Sequence, residues 1–175
     1  MMRSVAAIKL ALAMAAPNFE ARTEAAQMLQ SLAVHYDFDP LTEVAVVENE
    51  SRWNPDAVNP TSGARGLGGI MPSNFPSCRE DPNGYDCSRL ILALDDWRSS
   101  LRITAKLFAT WREYCRTTVG SARAAHWLQG YQGFDATRAT TCGHRKVRGR
   151  WVAAPVPALT QRILARRAEL ARRVS

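Results

Sequence analysis

Apolar residues recur every three or four positions along much of the chain, which is the spacing of one buried face of an α-helix. Asn18 has a side chain that favours a helix N-terminus, so it predicts the start of a helix that ends near the segment YDFDP. Asp39 predicts the start of the next helix, because Pro40 behind it loses no hydrogen bond at the first helical position. That helix, PLTEVAVVENES, must end before Pro55, since proline disfavours helical geometry in the residue that precedes it.

The second half of the chain contains a long amphipathic pattern that starts near Asp95-Asp96. Gly120 and Ser121 predict the end of this helix and the cap of a short one, ARAAHWLQ, and the chain closes with the pattern ALTQRILARRAELARRV. Residues 54–76 are too rich in Gly, Pro and Asn for a long regular element, residues 135–157 are basic and irregular, and no β-rich run is visible. The pattern therefore predicts a mainly α single domain with little or no β structure. The apolar face of the long helix consists of Trp97, Leu101, Thr104, Phe108, Trp111 and Cys115.

Composition agrees with one folded domain, since 46% of the 175 residues are hydrophobic and 22% are charged. The formal net charge is +7 and the isoelectric point is near 9.7, which favours an anionic partner such as nucleic acid, an acidic membrane surface or an acidic wall polymer. The basic final helix is a candidate anchor for such a partner. The plainer interpretation is a solvated outer face that packs Leu159, Ile163 and Leu170 on the domain. No stretch approaches the roughly 20 apolar residues of a membrane span.

Four cysteines leave three arrangements open. The segment CREDPNGYDC is typical of a loop that a Cys78–Cys87 disulfide closes, which leaves Cys115 and Cys142 for a second bond by elimination. Four reduced thiols in a reducing compartment are the alternative. A zinc site made by Cys78, Cys87, Cys142 and His144 would lack the close Cys-x-x-Cys pairs that are typical of zinc ligands.

The N-terminal segment MMRSVAAIKLALAMAAP has two interpretations. Arg3, the Ala/Leu-rich run and the small residues near position 15 fit a signal peptide over residues 1–16. Lys9 interrupts the apolar run, which is short even for a signal peptide. We favour an amphipathic helix that stays on the protein.

Two glutamates, Glu48 and Glu50, end the apolar helix ahead of the loop rich in Asn, Pro and Gly. Each shares a helix face with apolar residues, so spacing does not choose between them. A carboxyl in the last helical turn faces the negative end of the helix dipole, and burial removes it from water. Both effects raise a pKa, which suits a general acid that must stay protonated near neutral pH. The alternative is a solvated pair of side chains, or an ion pair with Arg52 or Arg65.

The residues after this helix follow a longer pattern. Glu50-Ser51 is followed by Trp53, by Asn54-Pro55 and then by GARGLGGIMP, while GYQGF around Tyr131 follows further on. This order resembles the soluble lytic transglycosylase domain of the lysozyme-like superfamily, whose corresponding segments read GAxGLMQIMP and AYNAG. The resemblance covers roughly residues 35–135.

The resemblance implies a lysozyme-like fold with residues 35–135 as the catalytic core, and it leaves both ends of the chain unexplained. The residue patterns there predict an N-terminal helical extension over residues 1–34 and a basic loop and helix over residues 136–175 that pack on the core. It implies that Glu50 is the catalytic acid, because the family's acid directly precedes the serine. Two departures stand out: Gly68 replaces a methionine, and Gly69 replaces a glutamine that helps to bind the sugar. The implied substrate-binding residues are Ser51, Gly66, Gly68, Gly69, Met71, Tyr131 and Gln132.

The implied reaction cleaves the β-1,4 bond between N-acetylmuramic acid and N-acetylglucosamine in peptidoglycan glycan strands and forms a 1,6-anhydro sugar without metal or cofactor. A hydrolytic muramidase is the alternative, and it would need a second carboxylate. A non-catalytic lysozyme-like module that binds wall or nucleic acid in an envelope or virion assembly is the other alternative. The resemblance fits a periplasmic, secreted or virion-associated protein equally well, and it leaves the oligomeric state open. Candidates for the second carboxylate are Asp37, Asp39, Asp56 and Asp86.

Overall fold

A computed structural model describes residues 3–175, except the side chain of Thr137. Within this range the chain is mainly helical and contains one small two-stranded antiparallel sheet, so the predicted mainly α class is confirmed. A 3-10 turn lies at Pro72–Asn74 and the strands are β1 (His144–Val147) and β2 (Arg150–Ala153). The helices are α1 (Val5–Ala15), α2 (Arg22–Tyr36), α3 (Pro40–Glu50), α4 (Pro76–Glu80), α5 (Tyr85–Asp95), α6 (Trp97–Val119), α7 (Ala124–Tyr131), α8 (Phe134–Arg138) and α9 (Ala158–Arg173).

Two predicted helix starts are confirmed by their caps. Asp39 accepts a hydrogen bond from the Leu41 backbone N–H at 3.1 Å, with Pro40 in the first helical position. Asp96 accepts one from the Ser99 backbone N–H at 2.8 Å and starts α6. Each carboxylate satisfies a backbone donor that has no partner within its own helix.

Two other predicted caps are wrong. Helix α2 begins at Arg22 rather than after Asn18, because the intervening chain turns to bury Phe19 against two tryptophan rings. Helix α7 begins after Arg123 rather than at Ser121. The Ser121 hydroxyl lies 2.5 Å from the His126 Nδ1 atom instead.

The segment 135–157, predicted to be irregular, contains the β1–β2 hairpin. Arg148 and Gly149 form its turn, and both have positive φ (47° and 80°), as two-residue hairpin turns of this kind require. The alternation that marks a half-buried strand is missing from the sequence, because only one residue of β1 and none of β2 is fully buried. The hairpin is therefore exposed and rich in charge, unlike a core strand.

Helix α3 lies in the middle of the core. Its residues Leu41, Val44 and Val47 pack in a cluster with α1 and α2, whereas Ala45 and Val46 pack in a second cluster with α6, α7 and α9. Helix α1 contributes fully buried residues to the first cluster, so the N-terminal helix is part of the hydrophobic core. A helix that is buried on both sides is held firmly, and this fixes the position of its last residue, Glu50.

Helix α9 is fastened along α3 by two ion pairs. The Arg166 guanidinium donates to both carboxylate oxygens of Glu48, at 2.8 and 2.9 Å, and Arg167 donates to Asp39 at 2.6 Å. Ile163 is 2% exposed and Leu170 is fully buried beneath these arginines. Two of the arginines that made α9 a candidate anchor thus bind the protein itself.

Two disulfides stabilise the loops around the helices. Cys78 in α4 is joined to Cys87 in α5, and Cys115 in α6 is joined to Cys142 at the base of the hairpin. The four donors of the alternative zinc site therefore do not come together. Among the described residues no cluster of His, Cys, Asp and Glu could hold a metal ion, and no helix there has the length and apolarity to cross a membrane.

Candidate active site

The end of α3 opens into a cleft of about 650 Å³. The Gly-rich segment after α3 forms one wall of the cleft, and the α7–α8 turn forms another. Leu159 from α9 and Trp111 from α6 also line it, so the cleft uses elements from both halves of the chain. Six of the residues predicted for the site line this cleft: Glu50, Gly68, Gly69, Met71, Tyr131 and Gln132.

Glu50 is half-buried in this cleft. Burial raises the pKa of its carboxyl, while the neighbouring side-chain amides of Asn49 and Gln132 oppose the rise by favouring the carboxylate. The Asn49 amide donates to Glu50 Oε1 at 3.2 Å. In the part of the chain that the structure describes, no lysine, arginine or histidine forms an ion pair with Glu50. The carboxyl therefore has the environment of a general acid.

The Gln132 side chain is held from behind by Thr160 of α9. The Thr160 hydroxyl donates to Gln132 Oε1 at 2.6 Å, and Thr160 is fully buried. Gln132 Nε2 is also buried and completes no hydrogen bond in the described structure. Because its oxygen is occupied by Thr160, the amide presents its nitrogen to the Glu50 side of the cleft. Sequence analysis missed Thr160, which lies 28 positions beyond Gln132.

Tyr131 fixes the Gly-rich wall. Its hydroxyl donates to the Gly68 carbonyl at 2.6 Å, and its side chain also interacts with Thr104. Burial, followed by the charge of Glu50, raises the pKa of Tyr131 far above its ordinary value, so the phenol stays neutral. A Cβ on Gly68 would collide with the Thr104 hydroxyl, which explains why this position carries no side chain.

Gly69 lets the backbone pass directly beside the acid. Its φ is +61°, a region that disfavours residues with a side chain. A Cβ there would lie 3.0 Å from Glu50 Oε2 and 3.1 Å from Glu50 Cβ. A glutamine in this backbone conformation would crowd the acid. The glycine at this position therefore fits the close approach of the backbone to Glu50.

Two predicted substrate-binding residues do not reach the cleft. Ser51 is buried, and its hydroxyl donates to the Val47 carbonyl at 3.1 Å, which closes the end of α3. Gly66 has a φ of +69° and packs so closely on the end of α5 that a Cβ would overlap the Leu94 carbonyl. Both residues shape the backbone around the acid rather than line the cleft. Trp53 is 3% exposed and belongs to the core.

Glu48 lies on the other side of α3 from Glu50, because two residues along a helix correspond to a rotation of about 200°. It borders a different depression, of about 940 Å³, between the α1–α2 turn and the residues after α3. Its two carboxylate oxygens are both bound by Arg166. Glu48 is thus an ion-pairing residue and does not line the cleft of Glu50.

The cleft contains one further carboxylate, Asp135, among the residues that line it. Asp135 accepts hydrogen bonds from the Thr140 hydroxyl at 2.7 Å and from the backbone N–H groups of Cys142 and Gly143 at 2.5 and 3.0 Å. These bonds occupy both of its oxygens. The four aspartates considered from the sequence as a second carboxylate (Asp37, Asp39, Asp56 and Asp86) do not line the cleft.

A third glutamate of α3 was not singled out from the sequence. Glu43 is fully buried, and neither of its carboxyl oxygens has a hydrogen-bond partner in the described structure. Burial raises its pKa well above the ordinary value. Glu43 lies two helical turns before Glu50 on the same face of α3. Glu43 therefore forms part of the core behind the site as a neutral acid.

A mainly helical domain with one desolvated acid at a helix end, facing a cleft with a Gly-rich wall, is a lysozyme-like protein in its class. Residues 27–125, more than half of the chain, match the sequence profile of the transglycosylase SLT domain. The chain belongs to this family, which supports an enzyme of the lytic transglycosylase type acting on peptidoglycan. Neither a comparison with curated proteins nor one with solved structures returned a match.

Proposed function

We propose that this protein is a peptidoglycan lytic transglycosylase in which Glu50 is the single general acid and base. The observation that carries the proposal is the Glu50 carboxyl itself: it is desolvated, free of ion pairs among the described residues, and open to a cleft large enough for a sugar strand. Family membership supplies the substrate class, and the residues around Glu50 supply the chemistry.

In the first step the protonated Glu50 donates its proton to the glycosidic oxygen between N-acetylmuramic acid and N-acetylglucosamine. The bond from muramic C1 to that oxygen breaks, and the N-acetylglucosamine leaves with a free 4-hydroxyl group. Positive charge develops at C1, and Glu50, now a carboxylate, lies beside it. The raised pKa of Glu50 keeps this proton on the carboxyl at higher pH than an ordinary glutamate would.

In the second step the Glu50 carboxylate removes the proton from the muramic C6 hydroxyl. The C6 oxygen attacks C1 and closes the 1,6-anhydro ring, and Glu50 returns to its protonated form. The proton count balances without a water molecule. The match to the transglycosylase family supports this route over hydrolysis.

The test is mass spectrometry of the soluble products after purified peptidoglycan is incubated with the wild-type protein or with Glu50→Gln. We expect anhydro-muramic products from the wild type and none from the variant. Reducing-end products without the anhydro mass would replace the proposal with a muramidase. No product from folded wild-type protein, on walls that a control enzyme digests, would replace it with a binding module.

A further inference from the structure

The β1–β2 hairpin carries a dense group of exposed cations. Arg145, Lys146, Arg148 and Arg150 are all exposed, and none of them is in an ion pair with another residue of the described chain. The sequence contains no aspartate or glutamate between residues 136 and 168. The positive charge of the hairpin is therefore not neutralised by neighbours in sequence.

Helix α9 differs from the hairpin in this respect, although both are basic. Arg166 and Arg167 are bound by carboxylates of α3, and Arg173 lies 3.1 Å from Glu169. These side chains hold the fold together or pair within their own helix. Of the arginines of α9 only Arg162 and Arg172 are in no ion pair of the described chain, so the four cations of the hairpin form the larger group of unpaired positive charge.

The hairpin has a firm base beside the cleft. The Cys115–Cys142 disulfide ties the chain just before β1 to α6, and the Ala154 backbone N–H donates to the Gly143 carbonyl at 2.7 Å. Asp135, which lines the cleft, binds the backbone N–H groups of Cys142 and Gly143. Asp135 thus connects the base of the hairpin directly to the wall of the Glu50 cleft.

We propose that the hairpin, residues 144–153, is a docking surface for the stem-peptide carboxylates of the peptidoglycan strand whose glycan lies in the Glu50 cleft. The proposal rests on the proposed function for its substrate. Each disaccharide with a stem peptide carries carboxylates beside the glycan, and a cationic surface with a rigid base next to the cleft meets them there. Trp151 adds an apolar face, over which Lys146 lies at 5.5 Å from the ring centre. The charge of the hairpin thus holds the strand, while Glu50 cleaves it.

The experiment measures binding separately from cleavage. All proteins carry Glu50→Gln so that the wall is not digested, and binding to insoluble peptidoglycan is followed by co-sedimentation from low to high salt. One variant replaces Arg145, Lys146, Arg148 and Arg150 by glutamine. A control variant replaces four exposed cations on other elements, Lys9, Arg102, Lys106 and Arg162, by glutamine.

We expect the hairpin variant to bind about tenfold more weakly at low ionic strength, and the difference to shrink as salt screens the charges. The control variant, which loses the same net charge, is expected to stay within about twofold of its parent. On insoluble peptidoglycan whose carboxylates have been converted to amides, the hairpin variant and its parent should bind equally. Melting curves for each variant establish that it is folded.

Three results would overturn the proposal: equal losses in the hairpin and control variants, an equal loss on the amidated peptidoglycan, or hairpin-dependent binding to duplex DNA with no hairpin effect on peptidoglycan. The last result would assign the surface to nucleic acid. Whether the protein is an enzyme is tested separately, by measuring product release from the protein with Glu50 intact. Hairpin-dependent binding without any cleavage would contradict the enzyme and support the docking surface.

Discussion

Two glutamates at the end of α3, Glu48 and Glu50, are the same residue type two positions apart, and they have opposite surroundings. Glu50 faces the cleft, where burial raises its pKa and no cation of the described chain pairs with it. Glu48 faces α9, where Arg166 binds both of its oxygens. The role of each carboxylate depends on the groups that surround it, so the difference between the two lies in tertiary structure.

The largest expected effect tests this difference directly. We expect Glu50→Gln to lower the rate of release of soluble products by about 10²–10⁴-fold, since it removes the proton donor and the base together. Glu48→Gln should keep the rate within about threefold, because that side chain does not reach the cleft. The measurement is the initial rate of product release from purified peptidoglycan. Equal losses in the two variants would contradict the assignment of Glu50.

The sequence predicted those features that depend on residues close together in the chain. The caps Asp39 and Asp96 and the long face of α6 are local patterns, and the position of Glu50 before Ser51 belongs to a motif. The roles of Glu48 and Gln132 could not be predicted. Arg166 lies 118 positions beyond Glu48, and Thr160 lies 28 positions beyond Gln132. No local spacing encodes such pairs.

Local backbone geometry also escaped prediction. Arg52 and Trp53 have φ values of +54° and +62°, in a region that residues with a side chain seldom adopt. Two such residues in succession turn the chain sharply after α3, bury Trp53 in the core and bring the Gly-rich segment back over Glu50. Tertiary packing stabilises this turn against its local cost, which is on the order of 1–3 kcal/mol per residue.

A third glutamate extends the comparison to stability. Glu43 is buried without a partner, so we expect Glu43→Leu to stabilise the protein by about 1–3 kcal/mol at neutral pH, because it removes an unsatisfied buried group. The pKa of Glu43 is raised in the folded state above its ordinary value of 4.5. Below pH 4.5 both the folded and unfolded states hold the proton, and the group has no pH-dependent cost. As the pH rises, only the unfolded state releases the proton at first, and the folded state loses relative stability.

The gain from Glu43→Leu should therefore be smaller at pH 4 than at pH 7. Urea unfolding at the two pH values measures the change in the free energy of unfolding. The control is Glu43→Gln, which keeps a polar side chain that does not titrate. A gain that is independent of pH in Glu43→Leu would show that packing, rather than the buried proton, sets the stability there. A loss of stability at both pH values would show that Glu43 has a partner in solution.

The link from α9 to the acid gives a smaller effect on the rate. Thr160→Val removes the hydroxyl that holds Gln132 Oε1, and Thr160→Ser keeps it. We expect Thr160→Val to lower kcat by about tenfold, the order of one lost hydrogen bond of about 1.4 kcal/mol. Gln132 lowers the pKa of Glu50, so its loss of orientation should raise that pKa further.

The pH profile separates this role from a purely structural one. Glu50 must be protonated to act, so the rate falls as the pH rises through the Glu50 pKa. In Thr160→Val this fall should move to higher pH, while in Thr160→Ser it should stay with the wild type. A lower rate with an unmoved profile would assign Thr160 to packing alone.

The smallest expected effect concerns the structural carboxylate, Glu48. Its pair with Arg166 is bidentate and about a quarter exposed, so Glu48→Gln should lower the free energy of unfolding by about 1 kcal/mol. The matched control is Glu113→Gln, which breaks a bidentate pair with Arg116 on the exposed face of α6 and should cost less. Both are measured by urea unfolding at low and high salt, and screening should reduce the exposed pair's contribution more. A Glu48 variant as stable as its control would mean that the Arg166 pair adds nothing to the packing of Ile163 and Leu170 on α3, and that Arg166 only covers that contact.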